Sequence, residues 1–458
     1  MNPMRRFVLP LVLVLNACVP VTQSDTATRG AIAESTFPPM KTFGAPRPIR
    51  PVKSNSNLAL DFIELSFRLE SGRDLPVFTR FEEPITVRVT GAPPATLGSD
   101  LTKLLHRLRT EANIDIRQTN PSKQANVTIQ AVSRTEIRRV LPHAACFVVP
   151  NISSISEYRS ARRTAKTNWA NLKKREQLAI FLPNDASPQE VRDCLHEELA
   201  QAIGPLNDLY RLPDSVFNDD NVHTVLTGFD MMMLKAYYSP ELRSGMTRGQ
   251  VAQALPRILN RINPAGKGRA AKFATRTPKA WSQAIQSALG PGSTTSQRIA
   301  AGNQALEIAT AMGWTDHRRA FAHYANGRIL LASAPKVAYQ HFLAADRYYA
   351  ATPGADLHRA YVATQLAAHA VTQGDGTSAL RLIGPHIDRV ARNENAILLS
   401  TLLLLRAEAL DLTGRSAEAR TVRLDSLGWA RYGFGPDWAV RAKLREISSL
   451  SPLKKGRS

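Results

Sequence analysis

The apolar residues of this chain follow two different periods, and this limits its fold more than any other feature. Leu58, Phe62, Leu65 and Leu69 recur at helical spacing, and residues 83–91 (EPITVRVTG) alternate as a strand does. Residues 101–114 read as an amphipathic helix, and 125–132, 145–150 and 177–183 as further strands. From about residue 294 to residue 450 only the helical period remains. Strands and helices that must share a core, followed by helices alone, predict an α+β domain and then an all-α one. The expected limits are 57–245 for the α+β domain, 246–293 for a helical connector, 294–450 for helical hairpin repeats and 451–458 for a basic tail. Gly290-Pro291-Gly292-Ser293 marks the boundary before the repeats. Ala338, Ala379 and Ala419 each follow a breaker, 41 and 40 residues apart, a spacing that suits stacked tetratricopeptide-like hairpins or an irregular bundle.

The first residues suggest an address. Arg5 and Arg6 precede a short apolar run, Phe7 to Leu15, which is too short to span a bilayer. Leu15-Asn16-Ala17-Cys18 is similar to a bacterial lipobox. Residues 1–17 then read as a signal peptide, Cys18 as the lipidated residue and 18–56, rich in Ser, Thr, Pro and Gly, as a disordered tether. The alternative is an ordinary secretory signal cut elsewhere. Val19 rather than an aspartate follows Cys18, so a lipid-anchored protein of the outer membrane facing the periplasm is expected. In that oxidising compartment Cys146 and Cys194 are expected to form a disulfide. The alternatives are two buried thiols, or Cys194 as ligand or nucleophile. A net charge of +21 points to anionic partners, such as an acidic envelope polymer or the membrane itself, without specific nucleic-acid recognition. The basic run 160–176 carries Trp169, which would suit contact with a membrane or polyanion. The helical repeats are expected to dock a protein.

Residues 194–208, CLHEELAQAIGPLND, hold the candidate chemistry. Ser187-Pro188-Gln189-Glu190 has the form of a capping box and Gly204-Pro205 that of a stop, so a helix is predicted over 188–203. His196-Glu197 begins like the zinc motif H-E-x-x-H, but Ala200 stands at the second histidine position. Shifted by one residue, the stretch resembles the metzincin pattern H-E-x-x-H-x-x-G-x-x-H/D, with Glu197, Glu198, Gln201 and Asn207 at the ligand, base, ligand and ligand positions and Asp208 beside them. Ser215-Val216-Phe217 resembles that family's Met-turn, with Phe in place of Met. The run EELAQAIGPLND…DSVFNDD also resembles the signature of domain of unknown function family 2927, a bacterial envelope family, and the C-terminal AEARTVRLDSLGWARYGFG is similar to the same proteins; the likeness covers roughly 57–245 and the helical tail, and implies a zincin-like fold with no established activity.

Zinc in catalytic sites takes three firm ligands, mostly imidazoles, and an open water position. A Glu/Gln/Asn/Asp set offers only oxygen and suits a harder divalent ion, so zinc is not expected here. His196 lies about 100° around the helix from Glu197 and is expected to point elsewhere. His223 is the nearby imidazole that could restore a zinc site, and the loop 218–223 (NDDNVH) reads as Asx turns or a calcium loop. Two functions remain. One is a binding or scaffold lipoprotein holding a peptide or glycan in a degenerate zincin cleft. The other is a metal-dependent hydrolase with an atypical oxygen-ligand site and Glu198 as general base.

Overall fold

A five-stranded mixed sheet organises the first half of the molecule. The computed structural model describes residues 37–44 and 48–454. Its strands are β1 (Ile85–Gly91), β2 (Ile116–Gln118), β3 (Val127–Val132), β4 (Phe147–Pro150) and β5 (Leu178–Pro183). They lie in the order β2-β1-β3-β5-β4, all parallel except β4, which runs antiparallel to β5 at one edge. Every residue of β5 is buried, as a strand covered on both faces must be. β2 is three residues long with only Ile116 buried, too short to leave a period in the sequence.

Seven helices accompany this sheet: α1 (Asn55–Ser66), α2 (Leu97–Thr110), α3 (Arg134–Val140), α4 (Ile155–Ala161), α5 (Pro188–Ile203), α6 (Gly228–Tyr237) and α7 (Arg248–Ile262). One core joins α1, α2, α5, α6 and α7 to the sheet through Phe62, Leu104, Ile129, Leu199 and Leu255. α7 packs on α1, so the expected connector is in its first part a piece of the α/β body. An extended strap then leads to the helical half.

That half holds α8 (Lys279–Leu289), α9 (Thr295–Ala311), α10 (His317–Leu330), α11 (Pro335–Ala350), α12 (Asp356–Thr372), α13 (Gly376–Ile383), α14 (Ile387–Arg392), α15 (Ala396–Leu412), α16 (Ser416–Phe434) and α17 (Asp437–Ser448). α8 packs on α9, α10 on α11, α12 on α13 and α15 on α16. Ala338, Ala379 and Ala419 sit early in α11, α13 and α16 and are fully buried, the small side chain letting each helix approach its partner. α15 is apolar on all sides because α12, α13, α16 and α17 surround it. Among the described residues no helix is long and apolar enough to cross a membrane.

The segment expected to be a tether to residue 56 is packed from Phe37 onward. Lys41 N–H donates to Gly428 O (3.0 Å), Arg431 donates to Pro38 O (2.8 Å), and Phe43 stacks on Trp429 (4.5 Å). A side chain at Gly428 would meet Lys41 and Pro39, so glycine makes this approach possible. Its few apolar residues, Phe37, Met40 and Phe43, find a groove on α16 that composition alone does not announce. From Phe37 onward the described residues form one compact unit. The signal, the lipobox and Cys18 lie outside the described residues.

Candidate functional site

α5 carries the site because both its ends are fixed. Ser187 caps the first turn by accepting from Glu190 N–H (3.2 Å), with Pro188 at the first helical position. The capping box is only half formed, since the Glu190 carboxylate turns instead to Arg134 (2.6 Å). At the other end buried Arg175 donates to the carbonyls of Gln201 (2.8 Å), Ala202 (2.9 Å) and Gly204 (2.6 Å) and lies against Trp169 and Tyr237. These carbonyls have no partner within the helix, so the guanidinium satisfies them and opposes the negative end of the helix dipole. Gly204 has a negative φ of −140°; a Cβ there would come 2.5 Å from Leu234 Cδ2 and 3.0 Å from Ala200 O, so the leucine would have to move aside. A disulfide joins Cys146, beside β4, to Cys194 on α5.

Glu197, Glu198, Gln201 and Asp208 line one cleft of about 440 Å³, whose other wall includes Cys146, Phe147, Val148 and Trp169. Asn207 lines an adjoining hollow of about 910 Å³ and turns its amide to Glu64 O (2.9 Å). The two spaces share Glu70, Ser71, Asp208 and Asp219. Five carboxyl groups therefore meet where the sequence motif offered three. Glu70 arrives from a bend after α1 that turns at Gly72, where φ is +85°. Gln201 Nε2 donates to Glu70 Oε1 (3.2 Å), and the Asp208 carboxyl lies beside it.

The electrostatics follow from burial and crowding. Burial, then the charges of Glu70 and Asp219, pushes Glu197 up to about 7. Burial, then Glu197 and Glu70, holds Glu198 well above the usual carboxylate range. Asp208 is raised in the same way, by burial first and then by all four neighbours. Asp219 is pushed up to about 6 by burial, Glu70 and Asp220. Glu198 Oε2 and Asp208 Oδ1 are buried without a hydrogen-bond partner. Buried acceptors left unmade are costly, so these two oxygens mark where a donor from outside would be stabilised most.

Imidazoles are absent from the cleft lining. His196 is 2% exposed on another face of α5, where its Nδ1 accepts from Leu226 N–H (3.2 Å); burial, then Arg192 and Arg107, keeps it neutral. His223 Nε2 donates to Pro213 O (2.9 Å), and burial with His358 nearby lowers it to about 4. Among the described residues no group of three or more His, Cys, Asp or Glu is arranged to hold a metal ion. The donors thus fit zinc poorly, and the five carboxyl groups line a cleft rather than close a coordination shell. The 218–223 loop forms Asx-type bonds, Asn218 to Asp220 N–H and Asp220 to Val222 N–H, and Asp220 also meets His358 (2.8 Å). Ser215-Val216-Phe217 is a buried bend fixed by Asp230, which accepts from Ser215 Oγ (2.6 Å) and Val216 N–H (3.1 Å); none of the three lines the cleft. Trp169, in a basic run that reads as a solvated loop or helix and would also suit contact with a membrane or polyanion, forms part of the cleft wall and supports Arg175. Sequence reading missed Glu70, Arg175 and Asp230, which come from separate segments, and met Asp219 only within the 218–223 loop, without linking it to the motif helix; the Ser71-Gly72 turn signal was the one local trace of Glu70.

Residues 55–257 match the model of a family described as protein of unknown function (DUF2927). The match runs from α1 into α7 and covers the sheet, α5 and all five carboxyl groups, so this part of the chain resembles that family. No curated protein and no solved structure matches the chain.

Proposed function

We propose that the protein is a cell-envelope binding protein whose acidic cleft holds a peptide or glycan segment through a cationic group, without classical zinc catalysis. The convergence of Glu70, Glu197, Glu198, Asp208 and Asp219, with two buried oxygens left without donors, carries this reading. An ammonium or guanidinium group brings donors and charge together and would relieve both the repulsion and the orphaned acceptors. The position of β4 supports an extended ligand, because β4 ends the sheet beside the cleft and an edge strand can pair with another backbone. The helix bearing Glu197 and Glu198 and the turn at 215–217 support a zincin-like scaffold whose ligand set has become oxygen-only. A second reading, a hydrolase using a harder divalent ion, rests on Glu198, which lines the cleft with a raised pKa and an unpartnered oxygen, as a general acid or base would. Attachment through lipid on Cys18, facing the periplasm, completes the proposal; Cys18→Ser should move the protein from the membrane to the soluble fraction after a salt wash.

Isothermal titration calorimetry with an N-terminally acetylated, lysine-containing tripeptide and with its ε-acetylated form tests the cleft. Binding of the free amine alone, lost in Glu197→Gln/Glu198→Gln, is the expected result. Equal binding of the acetylated peptide would refute the cationic reading. Peptide cleavage that requires Mn²⁺ or Ca²⁺ and disappears in Glu198→Ala would establish the hydrolase instead.

A further inference from the structure

From Leu242 to Leu306 the chain has ten Lys and Arg residues and no Asp or Glu. This stretch contains α7, the strap before α8 and most of α9. The strap and its neighbours are fixed in place. Asn57 at the start of α1 donates its amide to Lys272 O (2.9 Å) and accepts from Lys272 N–H (3.0 Å). Asn263 after α7 reaches Asn55 (2.8 Å) and the backbone of Lys53 (3.3 Å). Residues 50–53 and 262–269 therefore lie side by side around a cavity of about 330 Å³, lined by Arg50, Val52, Ile262, Pro264 and Arg269.

Large apolar side chains project from this basic surface. Ile49 is 75% exposed, Val52 76% and Phe273 60%, among the highest values for large apolar residues in the described chain. They stand beside Arg50, Arg269 and Lys272, none of which has a carboxylate partner among the described residues. Lys53 and Arg261 are not available in the same way, because they pair with Asp61 (3.2 Å) and Glu241. A solvated cationic face has no use for three exposed apolar side chains, and an acidic polymer offers them no apolar phase. A bilayer surface offers both: headgroup phosphates for the cations and the acyl boundary for Val52, Phe273 and Ile49.

We propose that this face, formed by residues 49–52 and 267–273 of the strap, docks on the anionic lipid surface of a membrane. The inference does not depend on what the acidic cleft binds or on lipidation of Cys18. Docking would lay the α/β body against the bilayer through a second contact, in addition to any N-terminal anchor.

Co-sedimentation of the full-length chain carrying Cys18→Ser tests it, using vesicles of phosphatidylcholine with and without phosphatidylglycerol. Residues 1–17, with Arg5 and Arg6, contribute alike to the parent and to every variant, so the change in the ratio of the two affinities on substitution is the readout. The parent should prefer the anionic vesicles by at least about tenfold, with the preference weakened by salt. Arg50→Glu/Arg269→Glu/Lys272→Glu should abolish that preference. Val52→Ser/Phe273→Ser should weaken anionic-vesicle binding several-fold at unchanged salt dependence. All five side chains are exposed, and an unchanged Tm checks that the variants fold. An unchanged preference in the charge-reversal variant overturns the proposal. So does full binding by Val52→Ser/Phe273→Ser, which would indicate a polyanion site with no insertion into lipid.

Discussion

At neutral pH the cleft holds carboxyl groups that cannot all ionise in comfort, and the consequence can be measured at one residue. Glu197 has a folded pKa of about 7, above its ordinary 4.5. The folded state therefore binds the extra proton between those values, and stability falls as pH rises through 7. Glu197→Gln removes the charge that must be desolvated and repelled. It should raise stability at pH 8 by on the order of 1–3 kcal/mol and change little at pH 4. Urea unfolding at the two pH values checks this, and an equal effect at both would show that Glu197 is not buried against its neighbours. His223 and His317 act in the opposite sense: burial lowers each to about 4, so their contribution is complete above about 6.5 and is lost as pH falls toward 4. At this scale the sequence showed what a single helix and its following turn can show. Helical spacing put Glu197, Glu198 and Gln201 on one side, and the structure places Asp208 with them but turns Asn207 into the next hollow. Glu70 was not legible, and Asp219 only as part of the 218–223 loop, because only the folded chain brings a bend after α1 and a loop after α5 to the same point.

Among the elements, β4 and α5 form the two walls of the cleft, and the Cys146–Cys194 bond is their covalent link across 48 residues of sequence. Closing a loop of that length removes freedom from the unfolded chain, so Cys146→Ser/Cys194→Ser should lower stability by about 2–4 kcal/mol. It should also weaken peptide binding, because β4 lies at the sheet edge and pairs only with β5. Denaturant midpoints with and without reductant provide the check, and a parent protein indifferent to reductant would mean that the bond constrains nothing. The strands at 125–132, 145–150 and 177–183 were readable because each is an apolar run between breakers. α3 and α4, with seven residues each, were too short to establish a period. α6 escaped for a different reason: GFDMMMLKAY is apolar on nearly every side, with eight of its residues buried, so no face stands out.

Across the whole molecule, the α/β body and the helical half share buried polar contacts as well as apolar ones. Arg192 on α5 pairs with Glu394 ahead of α15, each 4% exposed. Gln189 accepts from Ala396 N–H (2.6 Å), and Tyr432 on α16 donates to Asp100 on α2 (3.0 Å). The chain after α5 is equally committed: Tyr210 packs edge-on against Trp281 (5.1 Å), and Asp220 meets His358 on α12. The alternation of periods revealed two kinds of structure, but such contacts leave no mark on either period. The isolated segment 55–257, the part that matches the family model, would expose Arg192, Tyr210 and one side of α5. A buried cation that loses its partner costs about 3–5 kcal/mol, a large share of the stability of an ordinary domain. We therefore expect residues 55–257 alone to lack a cooperative urea transition and fixed near-ultraviolet circular dichroism, whereas Phe37–Ser458 unfolds in one step. Glu394→Ala in the full chain should lower stability by a similar 3–5 kcal/mol, while Glu394→Ala/Arg192→Met should recover part of that loss because no charge is left unpaired. A sharp, reversible transition of the isolated segment at the midpoint of the full chain would show that the helical half is merely attached, and that α5 and its cleft are stable without it.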